Sequence, residues 1–290
     1  MNYTQIRAFH AVASHGGFSR AAAALNQTQP SLSEQVRRLE QAHDTLLFLR
    51  QARSVQLTKA GEALFVLTKR FFEAEAAIST QLTESRAALT GRLRIVADSA
   101  RHITPILTRF RRRHPGVFVS VTTANTDDVL AILRRYDAEV GVVGSQSPAS
   151  DLNLIDLGAS PIVGIAAVGS PHAGQTLRLD ALGRLPLIMR EGGSLTRRLL
   201  EDAAQREGIA LVPVAEVDGR EAMREVVASG AGVGFISKAE LGQDDRLSEI
   251  ELEGGALLMP EAVVSLKQRS DVPVIRAFLA AVGESIDSTA

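Results

Sequence analysis

Between Thr58 and Leu89 the chain holds a single glycine, Gly61, and no proline, while Leu64, Leu67, Phe71, Ala74 and Ile78 recur in steps of three and four. Leu82 and Leu89 extend the stripe less regularly. This spacing puts the apolar side chains on one face of a helix. Roughly 30 residues make it about 45 Å long, with a seam of the coiled-coil kind. An amphipathic helix can lay such a face on its own domain. A helix this long after so short an N-terminal segment has little of its own chain to cover it, so its length predicts a second copy of the chain as partner. The segment also divides the sequence. Its N-terminal side reads as short helices, and its C-terminal side alternates strands and helices.

Ahead of the long helix, Ile6, Phe9 and Ala13 share one stripe of a helix over 2–14, ended by Gly16-Gly17. Ser19 is placed to cap a second helix over 20–25, with Phe18 in the staple position before it. Ala21 to Ala24 have almost no bulk, which lets another helix approach closely. Asn26-Gln27 turns the chain. Pro30 is harmless only in a first helical turn, where its missing N–H has no partner to lose, so a third helix starts near Thr28. Leu32, Val36 and Leu39 form its narrow apolar stripe, and Gln29, Ser31, Ser33, Gln35, Arg37 and Arg38 surround that stripe with hydrogen-bonding groups. Two helices across a short turn, the second donor-rich, make a helix-turn-helix pattern. Such a helix fits the major groove of B-DNA, where short side chains near its N-terminus reach base edges. Residues 46–61 then alternate as a small β-hairpin, with Arg50 and Arg53 set to meet phosphates. An ordinary three-helix packing unit would share this spacing.

Charge leans the same way. Residues 1–58 carry six arginines against Glu34, Glu40 and Asp44, a net +3, which leaves −4 on the remainder of a chain whose total is −1. A basic front on an acidic body suits a polyanionic partner for the front.

The ordered string Phe18-Ser19-xx-Ala22-xx-Leu25-xx-Thr28-Gln29-Pro30-Ser31-x-Ser33-xx-Val36-xx-Leu39-Glu40, followed by Leu47-Phe48-x-Arg50-xx-Arg53-x-Val55-x-Leu57-Thr58-x-Ala60-Gly61, resembles the N-terminal signature of LysR-type transcriptional regulators. It departs from that pattern at Ser19, Thr28 and Asp44, where Thr, Ser and Gly are common. The resemblance implies an N-terminal all-α winged helix-turn-helix over 1–58 and a linker helix over 59–90 that pairs two DNA-binding heads. Positions matching Thr28, Gln29, Pro30, Ser33, Glu34 and Arg37 would face the groove, with Ser31 beside them, and Arg50 and Arg53 would contact the DNA backbone. The partners implied are a double-stranded operator, a small-molecule effector, a second copy of the chain, a tetramer beyond that, and RNA polymerase.

Beyond Gly91 strands and helices alternate. Strands fall at 92–97, 117–122 and 140–143 with helices at 101–113 and 126–135. A second series has strands at 161–168, 186–190, 212–217 and 233–237 with helices at 195–207 and 220–229. Two βα-rich halves predict two α/β lobes with ligands at the strand ends between them. A strand-like 257–266 and a helix over 272–285 can return to either lobe. The resemblance sends them to the first and implies a two-lobed effector domain over 91–290, like a periplasmic binding protein. Lobe I would comprise 91–160 and 266–290, and lobe II 161–265.

Loops at the strand ends supply the candidate effector residues: Ser99 and Arg101, Thr126, Glu191, Ser194, Thr196 and Arg197, Arg220 and Glu221. Glycines let backbone approach a ligand, hydroxyls at helix starts join free N–H groups, and arginine offers forked donors to an anion. Each is also explicable as a cap or a surface residue. The segments LRIVADSARHITPILTRFRRRHPG, REGGSLTRRLLE and VDGREAMREVVASGAGVGFIS most resemble the branch of the family associated with aminoethylphosphonate catabolism. An anionic or zwitterionic effector of that type would use Arg101, Ser194, Thr196, Arg197 and Arg220 toward the phosphonate. Ser99 and Thr126 would add hydroxyls, and Glu191 or Glu221 would meet the ammonium.

Other function classes find little footing. There is no cysteine, and the six histidines are scattered and never fall at i,i+4 around a glutamate, so no metal site or cofactor is expected. No nucleophile–base pair converges, so no enzyme is expected. Gly230-Ala231-Gly232-Val233-Gly234 follows a helix and leads into a strand, the reverse of a dinucleotide fingerprint. No apolar run spans a membrane and residues 1–17 lack a signal-peptide pattern, which predicts a cytoplasmic protein. The alternative is a solute-binding receptor of the periplasmic type, which would need an export signal and has no use for a winged head.

Overall fold

A computed structural model of the chain describes residues 2–51, 54–82, 89–144, 149–253 and 257–287. It divides into two compact units, Met1–Arg86 and Ala87–Ala290.

In the first unit, α1 (Tyr3–His15) is opened by a capping box between Asn2 and Gln5 and closed by Gly16 in the left-handed conformation. Helix α2 (Phe18–Ala24) starts two residues earlier than its sequence suggests. Gly17, not Ser19, occupies the cap position, and Phe18 is the first helical residue. The Ser19 hydroxyl instead donates to Gln29 Oε1 at 3.0 Å, across the turn. Thr28 does cap α3 (Gln29–Ala42): its hydroxyl oxygen accepts from the Ser31 N–H, and Pro30 sits in the first turn. Leu32, Val36 and Leu39 pack on Phe9, Val12, Ala21 and Ala22, so the small alanines bring the helices together as expected. Buried Glu40 accepts the N–H groups of Leu47 and Phe48 at 2.8 and 3.2 Å. It thereby fixes the start of an antiparallel hairpin, β1 (Phe48–Gln51) and β2 (Ser54–Leu57).

The long helix α4 is described over Lys59–Leu82; residues 83–88 lie outside the described set. The Gly61 N–H donates to Thr58 Oγ1 while the Thr58 hydroxyl donates to the Leu46 carbonyl, which ties the helix start to the hairpin. Gly61 is required there, since a Cβ would run into the Leu47 carbonyl oxygen. His10 of α1 meets Thr68 Oγ1 at 3.0 Å and packs at a tilt against Phe65 and Phe72. Burial there, with Lys69 close by, lowers its pKa to about 4. Leu64 joins the core of the head. Leu67 and Ile78 remain 56% and 61% exposed, with Phe71 and Ala74 also open on the same stripe.

The second unit runs β3 (Gly91–Ala97), a 3₁₀ turn (Ala100–Ile103), α5 (Thr104–Arg113), β4 (Val117–Thr123), α6 (Thr126–Arg134) and β5 (Val140–Gly144). Then come β6 (Leu152–Ala167), β7 (Thr176–Leu177), β8 (Leu187–Arg190), α7 (Leu195–Arg206), β9 (Pro213–Val217), α8 (Arg220–Ala228), β10 (Gly234–Ser237), α9 (Lys238–Leu241), β11 (Leu247–Leu252), β12 (Leu258–Leu266) and α10 (Pro273–Asp287). The expected helix over 101–113 is thus split, the α-helix beginning at Thr104-Pro105. The main sheet has the order β4-β3-β5-β12-β6-β11-β7, with β10 also on β6, and β8 and β9 pair separately in parallel.

Among the described residues, two of the second unit's three buried clusters mark two lobes. Leu93, Ile95, Phe110, Val142, Val263 and Phe278 share the first, and Ile162, Leu187, Met189, Leu199, Phe235 and Ile250 the second. The sequence pattern showed β6 only from 161. It is 16 residues long, because 152–160 crosses from the first lobe to the second. Strand β12 runs back antiparallel beside it, with a register shift at Glu261/Ala262. From Glu261 it pairs with β5, so the chain rejoins the first lobe a few residues before the expected 266.

Candidate functional site

On α3, Thr28, Gln29, Pro30, Ser31 and Arg37 are exposed, and Ser33 and Glu34 are half-buried. The cap at Thr28 and the buried stripe Leu32, Val36, Leu39 fix which edge of the helix is presented. Glu34 is gripped by Arg37 at 2.8 and 2.9 Å and by Arg38 at 2.8 Å. Hydrogen bonds from Arg37 first, then Arg38, lower the Glu34 carboxyl to about 2. Arg37 is therefore paired with Glu34 in the free chain. Arg50 lies in β1, and Arg53 falls outside the described residues.

In the second unit a cleft of about 650 Å³ opens between the lobes, lined in part by Asp98, Asn125, Arg190, Glu191, Asp218, Arg220, Glu221 and Glu225. All but Glu225, which lies within α8, come from a strand end or the helix start that follows it. Gly193, at φ +88°, lets the second-lobe loop close on Asn125 of the first, where a Cβ would fall 2.8 Å from Asn125 Oδ1. Arg198 of α7 reaches Asp127 of α6 at 2.9 Å, a second link across the lip.

Carboxylates dominate this lining, and its arginines are already engaged. Arg190 holds Glu191 through two bonds of 2.7 Å, and Gly219 N–H adds a third to Glu191 at 3.1 Å. Burial pushes the Glu191 carboxyl up, but Arg190 outweighs it and the net shift is down. Arg220 Nε lies 2.6 Å from Glu240 Oε2, and its Nη2 lies 3.7 Å from Asp98 Oδ2. Burial raises the Asp98 pKa against the pull of Arg220. Asp218 and Glu221 have no ion-pair partner among the described residues.

Three expected effector residues line the cleft: Glu191, Arg220 and Glu221. The others are placed elsewhere. Ser99 is buried, accepting the Arg101 N–H at 3.4 Å, and Arg101 points its guanidinium at Gly242. Asn125, not Thr126, caps α6, and the buried Thr126 hydroxyl donates to Asp98 Oδ2 at 3.4 Å. Ser194 is buried at the cap position of α7 without a side-chain cap bond. Thr196 is buried with its hydroxyl on the Met259 sulfur. Arg197 turns to the outer face, bound to Glu201 at 2.7 Å, Glu216 at 2.6 Å and the Arg190 carbonyl at 2.8 Å. Asp98, Asn125 and Asp218 stood beside the expected residues in the same loops, and their strand-end position was the signal for them.

The comparisons agree with this division. Residues 3–62 match the family described as bacterial regulatory helix-turn-helix protein, lysR family, and residues 86–287 match the LysR substrate binding domain. Over 281 residues the chain is 27% identical to the HTH-type transcriptional activator CmpR of Synechocystis sp., which covers 95% of this chain and 92% of that protein. Full-length OxyR from Pseudomonas aeruginosa shares the fold with a TM-score of 0.77 at 19% identity, over 97% of this chain and 94% of that one. Full-length CbnR complexed with its target DNA gives a TM-score of 0.69 at 20% identity, over 98% and 100%. With a DNA-binding helix-turn-helix in front and a two-lobed effector-binding domain behind, the chain belongs to the LysR family of transcriptional regulators.

Proposed function

We propose that this regulator acts in the cytoplasm as a dimer or tetramer, reading an operator with the leading edge of α3. Thr28, Gln29, Ser31, Ser33 and Arg37 would enter the major groove while the hairpin serves as a wing whose Arg50 and Arg53 meet phosphates. The observation that carries this reading is the exposed, donor-rich edge of α3, held rigidly by a cap on one side and a buried stripe on the other. Replacing Gln29 by Ala is expected to reduce discrimination between operator and random duplex by about 1–3 kcal/mol, roughly 5- to 150-fold. Binding to random duplex should hardly change, because phosphate contacts carry it. Anisotropy titrations with both duplexes give the ratio, and an unchanged ratio removes Gln29 from the groove.

For the effector, the geometry favours a small molecule bearing an ammonium group. Asp218 and Glu221 are carboxylates without an ion-pair partner among the described residues at the cleft, whereas both lining arginines would have to leave a carboxylate to meet an anion. Aminoethylphosphonate keeps a site for its ammonium, and its phosphonate would need Arg190 or Arg220 to exchange partners. Calorimetric titration of the full chain is expected to give heat with aminoethylphosphonate and none with inorganic phosphate. Silence with the phosphonate excludes that ligand but leaves the ammonium class standing. Effector in the cleft would favour one arrangement of the lobes and so one spacing of the paired heads, through its differential affinity for the two states.

A further inference from the structure

His102, Glu240 and Glu261 come from three separate places: the 3₁₀ turn after β3, helix α9, and the register shift in β12. Their side chains nevertheless converge. His102 Nε2 lies 3.3 Å from Glu261 Oε1 and 3.7 Å from Glu240 Oε1, and one ligating atom from each residue falls within 4.8 Å of the other two. The carboxylate side chains are only 4% and 3% exposed.

Several of these atoms are unsatisfied. Neither oxygen of Glu261 accepts a hydrogen bond, and neither oxygen of Glu240 does within ordinary geometry, although Arg220 Nε stands 2.6 Å from one of them. Asp98 Oδ1, on the far side of Arg220, is a further buried acceptor without a donor. Three buried carboxylates thus face one guanidinium and one imidazole. Burying a carboxylate without its hydrogen bonds is costly, and a bound cation is one of the few ways to offset it. Ligand distances of about 2.0–2.2 Å to a tetrahedral ion place neighbouring donor atoms roughly 3.3–3.6 Å apart. The two histidine–glutamate separations already approximate two edges of such a polyhedron.

We propose that His102 Nε2, Glu240 and Glu261 form a binding site for one divalent transition-metal cation of the zinc class, with water completing the shell. One nitrogen and two carboxylate oxygens suit that class, while the nitrogen disfavours calcium or magnesium. His102 belongs to the first lobe, Glu240 to the second, and Glu261 to the strand that crosses between them. An ion here pins both lobes to their crossing strand, and its occupancy is coupled to how they are set. Sequence spacing gave no hint of the site, because the ligands lie far apart in the chain and meet only after both lobes have folded.

The test uses the full chain, stripped with a chelator and titrated with Zn²⁺ by calorimetry and with Co²⁺ by visible absorption. Wild type is expected to saturate at one ion per chain and to develop Co²⁺ ligand-field bands. Glu261→Gln and His102→Gln should each weaken binding at least tenfold, while His172→Gln, away from the triad, should bind as wild type does. Equal binding by wild type and the triad variants means an adventitious ion on other histidines only, and overturns the proposal. So does the absence of saturable binding and of Co²⁺ bands in wild type, a result that needs no variant to fold. Operator binding by the stripped protein tests the regulator reading separately, so either can fail alone.

Discussion

Leu67→Asp is expected to leave each chain folded and to break the assembly into single chains. Leu67 is 56% exposed in the isolated chain, so the carboxylate disturbs no core of its own. In a paired helix the same carboxylate would be buried in an apolar seam without a partner, at a cost of several kcal/mol. Ile78→Asp, one end of the same stripe at 61% exposure, should act alike. Two heads joined in one assembly bind the second half-site as an intramolecular event. Separating them should lower operator affinity by about 10²- to 10⁴-fold without any change at the DNA-contacting residues. Light scattering and a titration on a two-half-site duplex read the two consequences. If the variant keeps the wild-type mass, the stripe is not the seam and another surface joins the copies.

The second large effect is on stability. Glu139 sits between two arginines in the first lobe. Its carboxylate accepts the Arg94 N–H at 2.6 Å, two bonds from the Arg94 guanidinium to Oε1 at 3.2 and 2.6 Å, and Arg269 Nη2 at 3.0 Å. Arg269 is only 2% exposed, lies over the Tyr136 ring at 4.9 Å and donates to the Ala138 carbonyl at 2.6 Å. Glu139→Ala strands that guanidinium in the interior, and removing one partner of a buried pair costs about 3–5 kcal/mol. Denaturant unfolding of the variant should show it, and a loss below about 1 kcal/mol would mean that water reaches Arg269 unaided. Burial pushes the Glu139 carboxyl up, but Arg94 and then Arg269 outweigh it and its folded pKa lies below the ordinary 4.5. A depressed folded pKa gives stability that is complete above that ordinary value and lost as pH falls through the folded one. The gap between wild type and variant should therefore narrow in acid.

What could be read from the sequence was local. Pro30 and Thr28 placed the start of α3, the 3,4 steps of Leu64, Leu67 and Phe71 placed α4, and alternation beyond Gly91 gave the α/β class. Ser19 was misread because any hydroxyl before an alanine run looks like a cap, whereas the helix opens at Gly17 and Ser19, already inside it, bonds Gln29. The first half of β6 was missed because its apolar rhythm is short: Ile155 and Leu157 pack on the first core, but Asp156, Gly158 and Ala159 are exposed and break the pattern before the strand enters the second lobe. Thr196 and Arg197 show a third difficulty. Glu191 of the loop before α7 lines the cleft, but the phase of the helix decides which of its side chains enter it. That phase is set by Leu195, Leu199 and Leu200 packing in the second core, which turns Arg197 outward and gives Arg198 to the opposite lobe. Three of the nine expected effector residues, Glu191, Arg220 and Glu221, line the cleft, all at loops or first turns.

Strands β6 and β12 are continuous through both lobes and bonded to one another along nearly the whole of β12. Mechanically the pair is a flat spring. Because both strands pass through both lobes, one lobe can tilt against the other by bending and twisting the pair together, without breaking the bonds between them. An effector that resets the lobes would therefore act through a modest rotation, which the rest of an assembly would have to amplify.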